Sequence, residues 1–229
     1  MNDCYSFYHI TVATLPHPVL DNLKLQVDQQ DGAVIHVLGS DENRPIGWQS
    51  RGNFGLKLSK VFEFLQNPAL DDHAMILFTD AYDVAYFGTR NEIMMKYDQF
   101  STPIVFGGEK YCNPDPHKKS EYPETTAEFP YLNSGLFIGR VWALRICMQD
   151  YEYNDAHDDQ RYWTDKYLHS PEMISIDRDA KLFLNTVDMD MKVFSYENNR
   201  VHYRNQTPAL VHVNGPDKQM INMFVQRNI

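Results

Sequence analysis

Positive charge is in short supply in this chain of 229 residues: 21 lysines and arginines face 31 aspartates and glutamates, for a net charge of −10. That balance excludes a nucleic-acid backbone or an anionic membrane as the main partner, and a phosphate-bearing ligand would need a cation to offset the repulsion. Cysteine is also rare. Cys4, Cys112 and Cys147 lie far apart with no Cys-x-x-Cys spacing, which excludes a thiolate zinc site, leaves at least one thiol unpaired and favours a reducing compartment. No apolar run is long enough to cross a bilayer, and the opening Met1-Asn2-Asp3-Cys4 is not a basic start followed by an apolar core. Neither membrane insertion nor a secretory signal is expected. With no Pro/Gly/Ser-rich linker, internal repeat or low-complexity tract, residues 1–229 read as one domain. A hydrophobic share of 43% is enough for a full core.

The most informative stretch is Met75-Ile76-Leu77-Phe78-Thr79-Asp80-Ala81-Tyr82-Asp83-Val84. Its four leading apolar residues read as a short strand buried on both faces, of the kind found in parallel or mixed sheets covered by helices. Ligands of open α/β sheets bind outside the carboxyl ends of strands, so Asp80 and Asp83, three positions apart across a turn, can converge on one cation. An isolated Asp-x-x-Asp is more often a turn cap and a solvated acid, and partners elsewhere must decide.

Around this stretch the pattern alternates. Residues 8–14 and 33–38 read as strands with a helix over 19–29 between them, and Leu58, Val61, Phe62 and Leu65 recur at helical spacing after a loop containing Trp48, Gly52 and Gly55. Lys57 falls in the first turn of that helix, where an ammonium opposes the helix dipole. It reads either as a solvated surface lysine or as a group placed for an anion. A helix over 91–100 leads to a buried strand, Ile104-Val105-Phe106, and then to Gly107-Gly108-Glu109, which puts Glu109 at the same sheet edge as the two aspartates. Residues 111–129, with three prolines, read as an irregular loop. Residues 131–139 read as an apolar strand interrupted by an Asn133-Ser134-Gly135 turn, a place for a bulge or a close backbone approach. A helix over 141–149 follows. Asp158 and Asp159 precede another helical run, one serving as its N-cap and the other free for a ligand. The remainder is short strands with turns at Asn185 and Asn198-Asn199, ending in Val211-His212-Val213-Asn214-Gly215-Pro216 and Lys218. A histidine in an apolar strand is usually a satisfied core residue, but this one stands at a strand end.

Two carboxylates and an imidazole, with further positions left to water and phosphate oxygens, suit octahedral Mn2+ or Mg2+, the nitrogen favouring manganese. Such an ion would neutralise a diphosphate and its departure. The residues alone thus fit a metal-dependent transferase of a diphosphate-activated group. Phe78 to Val84, Tyr131-Leu132-Asn133-Ser134-Gly135 with Phe137-Ile138-Gly139, Asp158-Asp159-Gln160, and His212 to Pro216 with Lys218 occur in an order that resembles the glycosyltransferase domain of the procollagen lysyl hydroxylases. Thr11-Val12-Ala13-Thr14 is similar to that domain's first strand.

The resemblance implies an α/β GT-A fold, a Rossmann-like central mixed β-sheet flanked by helices, acting with Mn2+ on a UDP-hexose donor and a hydroxyl acceptor on a protein or glycan. Carried over, Asp80, Asp83 and His212 would hold the metal and Tyr82 would stack on uracil. Thr14 and Lys57 would touch the nucleotide or diphosphate, while Asn214, Gly215 and Lys218 would close over the phosphates. Asp158 and Asp159 would face the sugar or acceptor, one as base, with Glu109 and Asn133 at the same pocket. The chain departs from the family where its glycine run is reduced to Gly55-Leu56-Lys57, and where Asn113 replaces a tryptophan that follows the cysteine. It has no room for the hydroxylase domain. The expectation is therefore a free-standing or virus-encoded transferase in the cytoplasm rather than the secretory lumen. A noncatalytic nucleotide-sugar-binding module and a haloacid-dehalogenase-type phosphohydrolase stay open beside it. The second of these normally has an acid two positions after its nucleophile, where this chain has Tyr82.

Overall fold

The computed structural model describes residues 6–47 and 52–225; Cys4 and Trp48 lie outside them. Strand β1 (Phe7–Val12) leads through α1 (Pro18–Asp31) to β2 (Ile35–Leu38). Helix α1 starts where the His17 ring accepts a hydrogen bond from Val19 N–H, and it ends at Gly32 in the left-handed conformation, whose N–H donates to Asp28 C=O. Helix α2 (Gly55–Leu65) then precedes β3 (Met75–Thr79), β4 (Val84–Tyr86) and α3 (Arg90–Tyr97). After β5 (Ile104–Glu109) come β6 (Tyr131–Arg140), α4 (Val141–Met148), α5 (Asp159–His169) and β7 (Ile174–Asp177). The chain closes with β8 (Phe183–Asn185), β9 (Phe194–Glu197), β10 (Arg200–Tyr203), β11 (Leu210–His212) and α6 (Ile221–Val225). No helix among the described residues is long and apolar enough to cross a membrane.

Six strands form the central mixed sheet in the order β2-β1-β3-β6-β5-β7. Strand β6 runs antiparallel to both neighbours, whereas the β1–β2, β1–β3 and β5–β7 pairs are parallel. Alternation along β3 explains its unbroken apolar run. Ile76 and Phe78 pack with Leu58, Leu65, Leu144 and Trp163 under α2, α4 and α5, while Met75 and Leu77 pack with Leu23, Val27, Ile93 and Tyr97 under α1 and α3. On the first face Phe78 stacks on Phe137 at 4.8 Å, and Phe106 meets Phe137 and Trp163 at 4.9 and 5.1 Å. Such ring pairs add about 0.5–1.5 kcal/mol each beyond burial. The second face is shared with a three-stranded sheet, β4-β11-β8. Beyond that sheet lies a third layer, where α6 and the β9–β10 hairpin bury Phe194, Val201 and Phe224 against Phe87, Leu184 and Val211.

Three expectations need correction. Asn133-Ser134-Gly135 is not a turn: β6 is continuous, and the departure is a bulge. Phe106 pairs with Phe137 and the very next residue, Gly107, with Asn133, so Ser134, Gly135 and Leu136 have no partner on β5. Asn185 is likewise not a turn residue but the buried last residue of β8. The 111–129 stretch contains a 3-10 turn at Pro116–Glu121, held to α5 by the Arg161–Asp115 and Lys118–Asp165 ion pairs.

Candidate active site and metal centre

Strands β1, β2 and β3 all end at one edge of the central sheet, and beside it lies an open cavity of about 830 Å³. Asp80 follows β3 directly, and its N–H donates to Gly135 C=O at 2.8 Å. Asp83 precedes β4, which pairs antiparallel with β11 so that Val84 lies opposite His212, and Val213 N–H donates to Asp83 C=O at 2.8 Å. Two strand pairings therefore bring an imidazole more than a hundred residues away onto the Asp-x-x-Asp turn. One ligand atom from each of Asp80, Asp83 and His212 lies within 4.8 Å of the others. His212 Nε2 is 3.3 Å from Asp83 Oδ2 and 3.6 Å from Asp80 Oδ2. Gly135 makes room for the ring, since a Cβ there would stand 2.2 Å from His212 Cε1.

The donor set suits a divalent ion. Asp83 Oδ1 is buried and accepts no hydrogen bond among the described residues. His212 donates from Nδ1 to Asn185 Oδ1 at 2.8 Å, leaving Nε2 turned to the carboxylates. Two ammoniums neutralise the acids: Lys57 Nζ lies 2.6 Å from Asp80 Oδ1 and Lys218 Nζ 2.5 Å from Asp83 Oδ2. Burial raises the Asp80 carboxyl, with Lys57 opposing and Asp83 adding to the rise. Burial also works to raise Asp83, but the adjacent His212 and Lys218 outweigh it and hold that carboxyl well below the usual range.

Lys57 is not a solvated lysine. Its side chain is 12% exposed, and Nζ bridges Asp80 to Asp159 Oδ2 at 2.9 Å. Burial alone would favour the neutral amine; Asp159 and Asp80 reverse that and raise its pKa. Ser134 Oγ donates to the same Asp159 oxygen at 2.9 Å. Asp158 is the N-cap of α5, accepting from Arg161 N–H at 2.9 Å, and burial raises its carboxyl. Asp158 and Asp159 both line the cavity, the first from the cap position and the second from the first turn of α5.

Glu109 is 2% exposed and receives three side-chain amides: Gln160 Nε2 at 2.6 Å, Asn214 Nδ2 at 2.8 Å and Asn133 Nδ2 at 3.3 Å. Burial pushes it up to about 7 against the pull of those donors. The amide oxygens are occupied elsewhere, that of Asn133 by Gly135 N–H and that of Asn214 by Val187 N–H. Tyr82 lines the cavity with its hydroxyl fixed, accepting from Thr14 and Leu15 N–H and donating to Leu15 C=O. Gly215 lines it too, at φ +87°. Thr14 is buried behind Tyr82 rather than on the wall, and its hydroxyl makes no hydrogen bond among the described residues. Of the thirteen residues singled out in the sequence, twelve line one cavity and Thr14 alone does not.

Gln160, Ser134 and Asn185 carry interactions that the sequence reading did not assign. The first two lay inside quoted motifs. Asn185 had one local signal, a polar residue closing the apolar run Phe183-Leu184.

The sequence model described as the PLOD GT domain matches residues 5–227. The chain is 30% identical over 194 residues to the multifunctional procollagen lysine hydroxylase and glycosyltransferase LH3 of Rattus norvegicus, covering 80% of this chain and 25% of that protein. It is 31% identical over 203 residues to procollagen-lysine,2-oxoglutarate 5-dioxygenase of Drosophila melanogaster, covering 83% and 28%. The chain therefore spans about a quarter of the length of these curated relatives. Among solved structures it is similar to a glycosyltransferase involved in glycosylation of the major capsid of PBCV-1, with TM-score 0.56, 10% identity and coverage of 96% and 98%. It is also similar to the galactosyltransferase LgtC, with TM-score 0.55, 10% identity and coverage of 95% and 94%. The phosphohydrolase alternative falls with these matches, and the mixed sheet is that of the GT-A class. This chain belongs to the PLOD glycosyltransferase-domain family.

Proposed function

We propose that the chain is a divalent-metal-dependent hexosyltransferase that moves a hexose from a UDP-sugar, UDP-glucose or UDP-galactose, to a hydroxyl on a protein or glycan. The observation that carries this reading is the convergence of Asp80, Asp83 and His212 at the sheet edge, with ligand atoms within 4.8 Å of one another. These residues would hold Mn2+ or Mg2+, which when bound offsets the charge of the diphosphate and of the departing UDP.

The chain's own residues supply the rest. Lys218 and Lys57, paired with the two aspartates, are the cations that can turn to phosphate oxygens, and Asn214 and Gly215 border the same space. Tyr82, its hydroxyl tied to Thr14 and Leu15 in the link after β1, presents a fixed ring for the base. In the transfer, an acceptor hydroxyl oxygen bonds to the anomeric carbon as the carbon–oxygen bond to the diphosphate breaks, and the hydroxyl proton passes to a carboxylate. Asp158 is the better proton acceptor of the adjacent pair, because burial raises it while Asp159 is engaged by Lys57 and Ser134. Asp159, Asn133 and Glu109 then serve to orient sugar hydroxyls.

The test is a panel of nucleotide sugars with Mn2+, read as liberated UDP with and without protein and glycan acceptors. Asp80→Ala and His212→Ala should abolish metal-dependent release. Unaltered turnover in either variant would overturn the ligand assignment, and donor binding without turnover across the panel would make the chain a binding module.

A further inference from the structure

Resting on the metal reading above, we infer that Asn185 is the positioning residue of the site: it fixes the tautomer and the ring orientation of His212 without touching substrate. Asn185 is 1% exposed and ends β8, which lies parallel to β11 with His212 directly opposite Asn185 in the register. Its Nδ2 donates to Gly108 C=O at 2.9 Å. That bond identifies the amide orientation, so the atom facing the imidazole is Oδ1, an acceptor. The 2.8 Å contact with His212 Nδ1 then requires the proton on Nδ1 and leaves the lone pair on Nε2, the nitrogen that faces Asp83 and Asp80.

Two glycines are shaped to this relay. A Cβ at Gly107 would stand 2.7 Å from Asn185 Nδ2, and one at Gly135 would stand 2.7 Å from His212 Nδ1. Backbone on β5 is thus kept bare for the amide and backbone on β6 for the imidazole. Aspartate at 185 would keep an acceptor for Nδ1–H but set a carboxylate oxygen against Gly108 C=O. A leucine would keep the volume and leave a buried Nδ1–H without an acceptor. That cost is relieved by moving the proton to Nε2, where it meets Asp83 and blocks the ligand lone pair.

The experiment compares the parent protein with Asn185→Leu and Asn185→Asp. In metal-free protein labelled with 15N-histidine, the parent His212 should carry a proton on Nδ1, Asn185→Leu should lose it and keep only the proton on Nε2, and Asn185→Asp should retain it. Mn2+ affinity, read from free Mn2+ by electron paramagnetic resonance, should fall roughly 10–100-fold in Asn185→Leu and recover in large part in Asn185→Asp. If Asn185→Leu does not fold, as judged by circular dichroism, Asn185→Ser takes its place, its hydroxyl being too short to span to Nδ1. The inference is overturned if the folded variant keeps the proton on Nδ1, or if it binds Mn2+ within twofold of the parent. Failure of the metal reading is separately visible: the parent and His212→Ala would then bind Mn2+ alike, while the tautomer measurement would still report on Asn185.

Discussion

Gly135→Ala is a one-carbon test of how the metal centre is packed. The added Cβ would lie 2.2 Å from His212 Cε1, 2.7 Å from Nδ1 and 3.0 Å from Asp80 Oδ2, where ordinary contact begins near 3.4 Å. The imidazole or the β6 backbone must therefore yield by about 1.2 Å, against a tolerance of roughly 0.2 Å for a metal–ligand bond. The backbone is held by Asp80 N–H at Gly135 C=O and by Asn133 Oδ1 at Gly135 N–H, so the ring moves. Overpacking costs about 1–3 kcal/mol, and losing a glycine from a strand interior returns about 0.5–1 kcal/mol. The net loss of stability is about 0–2.5 kcal/mol, and the protein remains folded. Mn2+ affinity, in contrast, should fall by more than the roughly 10–100-fold expected when only a supporting partner is lost. Thermal melting and Mn2+ titration on the same sample separate the two effects. A folded Gly135→Ala protein that binds Mn2+ within about twofold of the parent would refute the packing argument.

The remaining expectations address the charges around that centre. Lys57→Met leaves Asp80 and Asp159 without their shared cation and should destabilise the metal-free protein by about 3–5 kcal/mol; a larger Mn2+-induced rise in Tm than in the parent would confirm the cause, and an unchanged metal-free Tm would exclude it. Asp158→Asn preserves the cap, because asparagine caps as well as aspartate, so its melting should match the parent while UDP release falls about 10²–10⁴-fold. Equal activity would remove Asp158 as base. Glu109 titrates at about 7 in the fold instead of its ordinary 4.5, so the unfolded chain gives up that proton first. As pH rises from about 4.5 to about 7 the parent should lose roughly 3 kcal/mol of stability relative to Glu109→Ala, with no relative change outside that window. Urea titrations across the range provide the measurement, and a flat difference would show that the three amides hold Glu109 ionised.

Local pattern carried the central layers. The run Met75 to Phe78 could be read as doubly buried because every residue in it is apolar, and the acids after it could be placed because the strand stops there. Glu109 was reachable for the same reason, behind Gly107 and Gly108. What escaped reading depends on contacts between distant segments. The Asn133-Ser134-Gly135 bulge looks like a turn until His212, brought by β11, occupies the space above Gly135. Lys57 looks solvated until Asp80 and Asp159 enclose it. Strand β4 is only three residues long, too short for periodicity, and Asn185 has turn chemistry at a position that pairing with β11 buries. The thirteen candidates gathered in the sequence owe their coherence to the family resemblance, since residue chemistry alone singled out the strand ends but not their convergence.

The short link Ala81-Tyr82 is also a passage between layers. Asp80 belongs to the end of the six-stranded sheet, whereas Asp83 and His212 belong to the three-stranded sheet. A bound cation would therefore clamp the two sheets at their shared corner, and through β11 and β8 it would steady the outer layer of α6 and the β9–β10 hairpin. Hydrogen exchange from β8 through α6 should slow when the corner is clamped, so that roughly the carboxy-terminal fifth of the chain would report occupancy from a distance.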